Sequence, residues 1–203
     1  MGRGRFVVFE GIDASGKSTQ AARVAAAKGA LFTFEPGDTL LGAELRRWVL
    51  DAATPMTPVT EALVMLTDRS HHVHTIIEPA LRSGRCVVSD RYFASTLAYQ
   101  GYGRGVDLDG LRAATELAIG SCRPDLTVLI DISIDTANER RARNHEDRFE
   151  SADLEFHERV RAGYLELART DPDRWAVVDG SEVAAQVAAQ VDEVLATLSW
   201  PDA

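Results

Sequence analysis

Gly11, Gly16, Lys17 and Ser18 stand in the stretch FVVFEGIDASGKSTQ, residues 6–20, at the spacing GxxxxGK[ST]. That set can grip a run of phosphates. Glycines let a loop turn its amide N–H groups inward, the start of a helix adds partial positive charge, and a compact ammonium supplies a whole one. On this reading Gly11, Ala14, Ser15, Gly16, Lys17, Ser18 and Thr19 cradle the phosphates of a nucleotide. Lys17 would meet the β- and γ-phosphates, and the Ser18 hydroxyl would ligate Mg²⁺. Lys17 and Lys28 are the only lysines among 22 cationic residues, so an ammonium at this point of an arginine-rich chain marks a specific need.

A second chemically rich stretch is SDRYFASTLAYQGYGRG, residues 89–105. Asp90, at the end of an apolar run, can hold Mg²⁺ or its waters, and Arg91 beside it can fork onto the phosphate of an acceptor. Neither the NKxD string of guanine-reading switches nor the LSGGQ signature of transport ATPases occurs. What remains is a small phosphotransferase.

These residues need a frame that brings strand ends together. Phe6 to Glu10, Leu31 to Phe34, Arg85 to Asp90, Leu126 to Ile132 and Trp175 to Asp179 read as strands buried on both faces. Between them lie Ala-, Leu-, Arg- and Glu-rich stretches long enough for crossover helices, one of them running from about Ser18 to Lys28. The alternation predicts an α/β fold with a five-stranded parallel sheet, helices on both faces and ligands at the carboxyl ends of the strands. Val183, Val187, Val191, Val194 and Leu198 predict a last helix packed on the core, capped by Asp179 or Ser181. ERRARNHEDRFE, residues 139–150, is nearly devoid of large apolar side chains and is expected to project from the core as a flap.

Composition limits the partners. The chain has 203 residues, 45% of them hydrophobic, and reads as one domain over 1–203 with the flap as its lid. A net charge of -9 argues against binding nucleic acid or an anionic membrane through a broad basic surface, so anionic ligands must meet local cationic pockets. Cys86 and Cys122 have neither metal-site spacing nor disulfide density, no apolar run approaches bilayer length, and the expected compartment is the cytoplasm.

Taken together, FEGIDASGKSTQ, EPGDT at 35–39, TDRSHH at 67–72, DRYFASTLAYQGYGRG, PDLTVLID at 124–131 and RARNHEDRFE followed by YLELA resemble the thymidylate kinases. The resemblance runs through most of the chain. It implies the P-loop NTPase fold with a small arginine-rich lid, transfer of the ATP γ-phosphoryl group to dTMP, and a homodimer. It implies that Asp13 faces the acceptor sugar near the transfer centre and that Arg91 holds the dTMP phosphate. Arg69 would bond the thymine ring, Thr96 and Gln100 would line the base pocket, Tyr99 would pack under the deoxyribose, and Glu35 and Pro36 would form another wall. Arg141, Arg143 and Arg148 match the lid arginines, and Ala14 after Asp13 marks the type that keeps its extra cation in the lid rather than the loop.

Three positions depart from the family pattern: Phe34 replaces a common arginine, Asp38 a common glycine, and Met65 a phenylalanine that stacks on the base. They bear on thymine recognition rather than on phosphotransfer. Two other readings stay open from the residues alone, another small P-loop nucleotide or deoxynucleoside kinase and a nucleotide-binding protein that has lost turnover.

Overall fold

The computed structural model describes residues 2–51, 53–141 and 153–200, with no side-chain description at Arg141. In chain order the elements that matter are β1 (Phe6–Glu10), α1 (Lys17–Lys28), β2 (Leu31–Phe34), α2 (Leu40–Leu50), α3 (Pro58–His72), α4 (Glu78–Arg82), β3 (Val87–Asp90), α5 (Phe93–Thr96), α6 (Leu108–Ile119), β4 (Leu126–Asp131), α7 (Ile134–Arg141), α8 (Leu154–Thr170), β5 (Trp175–Asp179) and α9 (Ala184–Leu195). The strands form one parallel sheet in the order β2-β3-β1-β4-β5. β1 is central, so the loop that leaves it opens beside the ends of both neighbours, β3 and β4.

Alternation within β1 shows how the sheet is buried. Val7 and Phe9 pack on one face with Ala21, Val24, Val187 and Val191 of α1 and α9. Phe6 and Val8 pack on the other with Leu66, Val73, Ile77, Leu81 and Tyr92. A strand sends successive side chains to opposite faces, so a run apolar at every position needs helices on both. Leu129 of β4 joins a third cluster in which α8 supplies Phe156, Val160 and Tyr164.

Burial on both faces holds for the inner strands but not for the edges. Phe32 of β2 is 38% exposed and Val177 of β5 is 52% exposed, because an edge strand has one flank and part of a face left uncovered. β3 starts at Val87 rather than Arg85, and β4 ends at Asp131 rather than Ile132. The last helix differs more. α9 starts after Val183 with no side-chain cap, and its buried stripe is Val187, Val191 and Leu195, with Val194 and Leu198 only partly buried. Asp179 stays in β5 and accepts bonds from the Ser181 N–H and hydroxyl, which closes a local turn instead of capping the helix.

Among the described residues two helical stretches run with a widened π turn, Val73–Ile77 between α3 and α4 and Leu97–Gly103 after α5. The second carries Tyr99 and Gln100. π turns recur at functional sites because they turn side chains that regular spacing would place elsewhere.

Leu129 is 1% exposed in β4, beside the central strand. Leu129→Ala should lower the free energy of unfolding by about 2–5 kcal/mol. Urea denaturation followed by circular dichroism checks this.

Candidate active site

The phosphate loop is built by backbone geometry that few residues allow. Gly11 has φ +145, and a Cβ there would lie 2.5 Å from the carbonyl oxygen of Ile130. Gly16, at φ +93, caps α1 without a side-chain bond, so the first N–H groups of a twelve-residue helix face the loop. Ala14 also adopts positive φ, 66, without glycine's freedom, which is the strain expected where a loop is held for a purpose. The hydroxyl of Ser15 is buried with no partner among the described residues.

Lys17 is 6% exposed and its Nζ lies 3.5 Å from the Ile12 carbonyl and 3.4 Å from Asp13 Oδ1. Burial, reinforced by the Arg91 charge, lowers its pKa. The ammonium is thus held by long contacts that an incoming phosphate can displace.

Arg91 leaves β3 with φ +71, an uncommon conformation for a residue with a Cβ. Its N–H bonds the Phe9 carbonyl, and the side chain turns toward the loop. Nη1 donates to the Gly11 carbonyl at 3.2 Å, Ser95 Oγ at 3.1 Å and the Tyr164 hydroxyl at 3.1 Å. Nη2 donates to Asp13 Oδ1 at 2.5 Å. Tyr99 donates its hydroxyl to Asp13 Oδ2 at 2.9 Å and lies under the guanidinium, 5.1 Å from its centre. Burial alone would raise the pKa of Asp13, but Arg91, Lys17 and the Tyr99 hydroxyl hold it well below the usual carboxylate range. Asp13 is therefore the shared anion of both cationic groups.

Behind this centre sits Glu10, fully buried, which no motif brought forward. It accepts from the N–H groups of Tyr92 and Ser95 and from the hydroxyls of Ser95 and Tyr164, the same two hydroxyls that meet Arg91. Burial raises its pKa. The signal in the sequence was an acidic residue closing an apolar strand.

Beside this centre opens a cleft lined by Asp13, Glu35, Pro36, Arg46, Leu50, Met65, Arg69, Arg91, Ser95, Thr96, Tyr99 and Gln100. It gathers every residue that the sequence assigned to the acceptor. Arg69 is fixed at 2% exposure by bonds to Glu35 Oε2 at 2.8 Å, Thr96 Oγ1 at 2.8 Å and the Tyr92 carbonyl at 3.0 Å. The other oxygen of Glu35 meets His72 Nδ1 at 2.9 Å. His72 Nε2 in turn meets the hydroxyl of Thr33, which donates to Asp38.

Arg46 and Leu50 were not anticipated. α2 begins with Thr39 accepting from Gly42 N–H and presents Arg46 to the cleft, where Nη1 donates to the Pro36 carbonyl at 2.7 Å and the guanidinium lies over Phe34. The adjacent Arg47 pairs with Glu44 in solvent. Two neighbouring arginines look alike in sequence, and only the phase of α2 separates them.

For Mg²⁺, the residues present fit. The Oδ1 of Asp90 is buried without a partner among the described residues, and Ser18 lies exposed in the first turn of α1. A hard cation takes such oxygens. The side chain of Arg141, and Arg143 and Arg148 entirely, lie outside the described residues. Arg140 of α7, not anticipated, reaches the loop by donating to the carbonyls of Ala14 at 3.3 Å and Gly180 at 2.9 Å.

Asp68, next to Arg69, is 1% exposed, and burial followed by the nearby Glu35 pushes its pKa from 3.8 up to about 6. A carboxyl group whose pKa rises on folding favours the folded state below its unfolded pKa and loses that benefit as pH rises through the folded value. Stability should therefore fall by roughly 2–3 kcal/mol from this group between about pH 4 and pH 6. Asp68→Asn should flatten that step, read from thermal midpoints across the range.

Comparison with known proteins agrees with this layout. The family model described as Thymidylate kinase matches residues 9–191. A thymidylate kinase of Carboxydothermus hydrogenoformans is 47% identical over 184 residues, covering 88% of this chain and 90% of that protein. One of Desulforudis audaxviator is 44% identical over 195 residues, covering 93% and 88%. The crystal structure of thymidylate kinase from Ehrlichia chaffeensis superposes with a TM-score of 0.76 at 33% identity, covering 94% of this chain and 98% of that one. With its central strand, phosphate loop and acceptor cleft in a parallel sheet of P-loop NTPase type, the chain belongs to the thymidylate kinase family.

Proposed function

We propose that this chain transfers the γ-phosphoryl group of ATP to dTMP. The observation that carries the reading is the common partner of the two cationic groups. Lys17 of the phosphate loop and Arg91 of the acceptor cleft both contact Asp13 Oδ1, at 3.4 and 2.5 Å, so donor and acceptor phosphates bound at these groups would adjoin.

In the reaction the bond from Pγ to the β,γ-bridging oxygen breaks and a bond from Pγ to a dTMP phosphate oxygen forms, giving ADP and dTDP. The transfer demands little covalent help, so catalysis rests on positioning and on cations around the equatorial oxygens. Lys17 and the first N–H groups of α1 hold the donor phosphates. Arg91, kept in place by Ser95 and Tyr164, holds the acceptor phosphate, and Arg46 brings a further guanidinium to the same cleft. Asp13 separates Lys17 from Arg91, so the two cations stay close without a ligand. Mg²⁺, bound through Ser18 and Asp90, would neutralise the β- and γ-phosphate oxygens. Arg141, Arg143 and Arg148 would close over the phosphates from the lid.

Arg69, Thr96, Gln100, Met65 and Pro36 would surround the base, and Tyr99 the sugar. We further assign a second copy of this chain to the face formed by α2, α3 and α6. There Leu63 is 56% exposed and Leu117 86%, around a groove that also includes Leu41, Leu66 and Ala118. Cys86 and Cys122 are both free thiols, which supports a reducing, cytoplasmic setting.

Among nucleoside monophosphates in a coupled ADP-release assay, dTMP should rank first, and another best acceptor would overturn the substrate assignment. Lys17→Ala should lower kcat by at least about 100-fold with an unchanged circular dichroism spectrum. Light scattering should give twice the mass of one chain, and Leu117→Glu should shift it toward one chain.

A further inference from the structure

Glu61 of α3 lies 1% exposed behind the acceptor cleft and is absent from its lining. Its Oε1 accepts from Gln100 Nε2 at 2.9 Å and lies 3.6 Å from Arg104 Nε. Gln100 does line the cleft, is itself 1% exposed, and its Oε1 has no hydrogen-bond partner among the described residues. An amide can face either way in a cavity, but a carboxylate only accepts, so Glu61 must receive the NH₂ end. The carbonyl oxygen is what Gln100 has left to offer.

We propose that Glu61 is a positioning residue that sets base specificity by locking the amide of Gln100 with its acceptor toward the base. This rests on the reading of the cleft as a pyrimidine nucleotide site. Arg69 supplies the complementary half. Three of its five N–H groups are committed to Glu35, Thr96 and the Tyr92 carbonyl, and the remainder can only donate. A donor beside an acceptor matches the edge of thymine or uracil, which carries a carbonyl at position 4 and an N–H at position 3. Cytosine presents the reverse, an amino group and a bare ring nitrogen. It would set nitrogen lone pair against the Gln100 oxygen and amino group against guanidinium. A buried polar group left facing its own kind loses its bond and keeps the cost of desolvation. Were the amide free to flip, half of this selection would disappear.

The test is steady-state kinetics with dTMP, dUMP and dCMP on wild type, Glu61→Gln and the reciprocal double variant Glu61→Gln/Gln100→Glu. In the single variant a neutral amide can donate or accept, so Gln100 can turn. The ratio of kcat/KM for dTMP over dCMP should fall roughly tenfold or more, chiefly through KM. The dTMP over dUMP ratio should stay put, since the 5-methyl group is not read by this pair. In the double variant the amide on α3 can donate to one oxygen of the carboxylate that replaces Gln100, while the other oxygen faces the base. The dTMP over dCMP ratio should then return toward wild type.

An unchanged ratio in a folded Glu61→Gln enzyme would overturn the proposal, as would a double variant that stays permissive for dCMP. Should the single variant fail to fold, the double variant alone decides, with high discrimination supporting the lock and low discrimination ending it. Loss of activity on all three substrates in equal proportion would reduce Glu61 to a packing role and also end it. A wild type that does not favour dTMP and dUMP over dCMP would instead defeat the acceptor reading, before any variant is compared.

Discussion

The site depends on one carboxylate placed between two cations. Asp13 takes Arg91 and Tyr99 on its two oxygens and lies within reach of Lys17. Buried charges are tolerable only when paired, and removing one partner from such a set leaves another stranded. Here a single anion is shared by an ammonium and a guanidinium, both largely withdrawn from water. The loop and β3 end are thereby drawn together. The positive φ of both Ala14 and Arg91 is the backbone cost of that convergence, carried by the sheet that fixes the ends of β1 and β3.

Much of this was legible because the strands of a doubly covered parallel sheet are plain apolar runs. β1, β2 and β5 have the bounds expected from their residues, and the phosphate loop falls between β1 and α1 as its spacing requires. Less legible were features set by helix phase. Arg46 and Arg47 are indistinguishable as text, yet α2 sends one to the cleft and the other to solvent. Asp179 and Ser181 are good capping residues, but they bond each other before α9 begins. Supporting residues such as Glu10 and Glu61 were silent for another reason: they act through side chains from distant segments, and single-strand or single-helix patterns do not encode such pairings.

The departures from the family pattern find uses. Asp38, in place of a glycine, accepts from Thr33, whose oxygen also meets His72, so the series from Asp38 through Thr33, His72 and Glu35 ends on Arg69. Phe34, in place of an arginine, lends its ring to Arg46. Met65 stays partly buried at the cleft wall, where a flexible thioether can follow the shape of a ring without the rigid plane of an aromatic one. The altered positions thus bear on how the cleft is shaped, while the loop and Arg91 keep their shared contacts with Asp13.

The π turn at Leu97–Gly103 places Tyr99 against Asp13 and Gln100 against Glu61, two neighbours in sequence doing separate work on adjoining parts of one wall. An ordinary α-helix advances about 100° per residue. Dropping or adding a single amino acid there would reset the winding and rotate both side chains away from their stations together. Over evolutionary time this stretch can be edited letter by letter but not lengthened or shortened, so its indel history should be far quieter than that of the neighbouring loops.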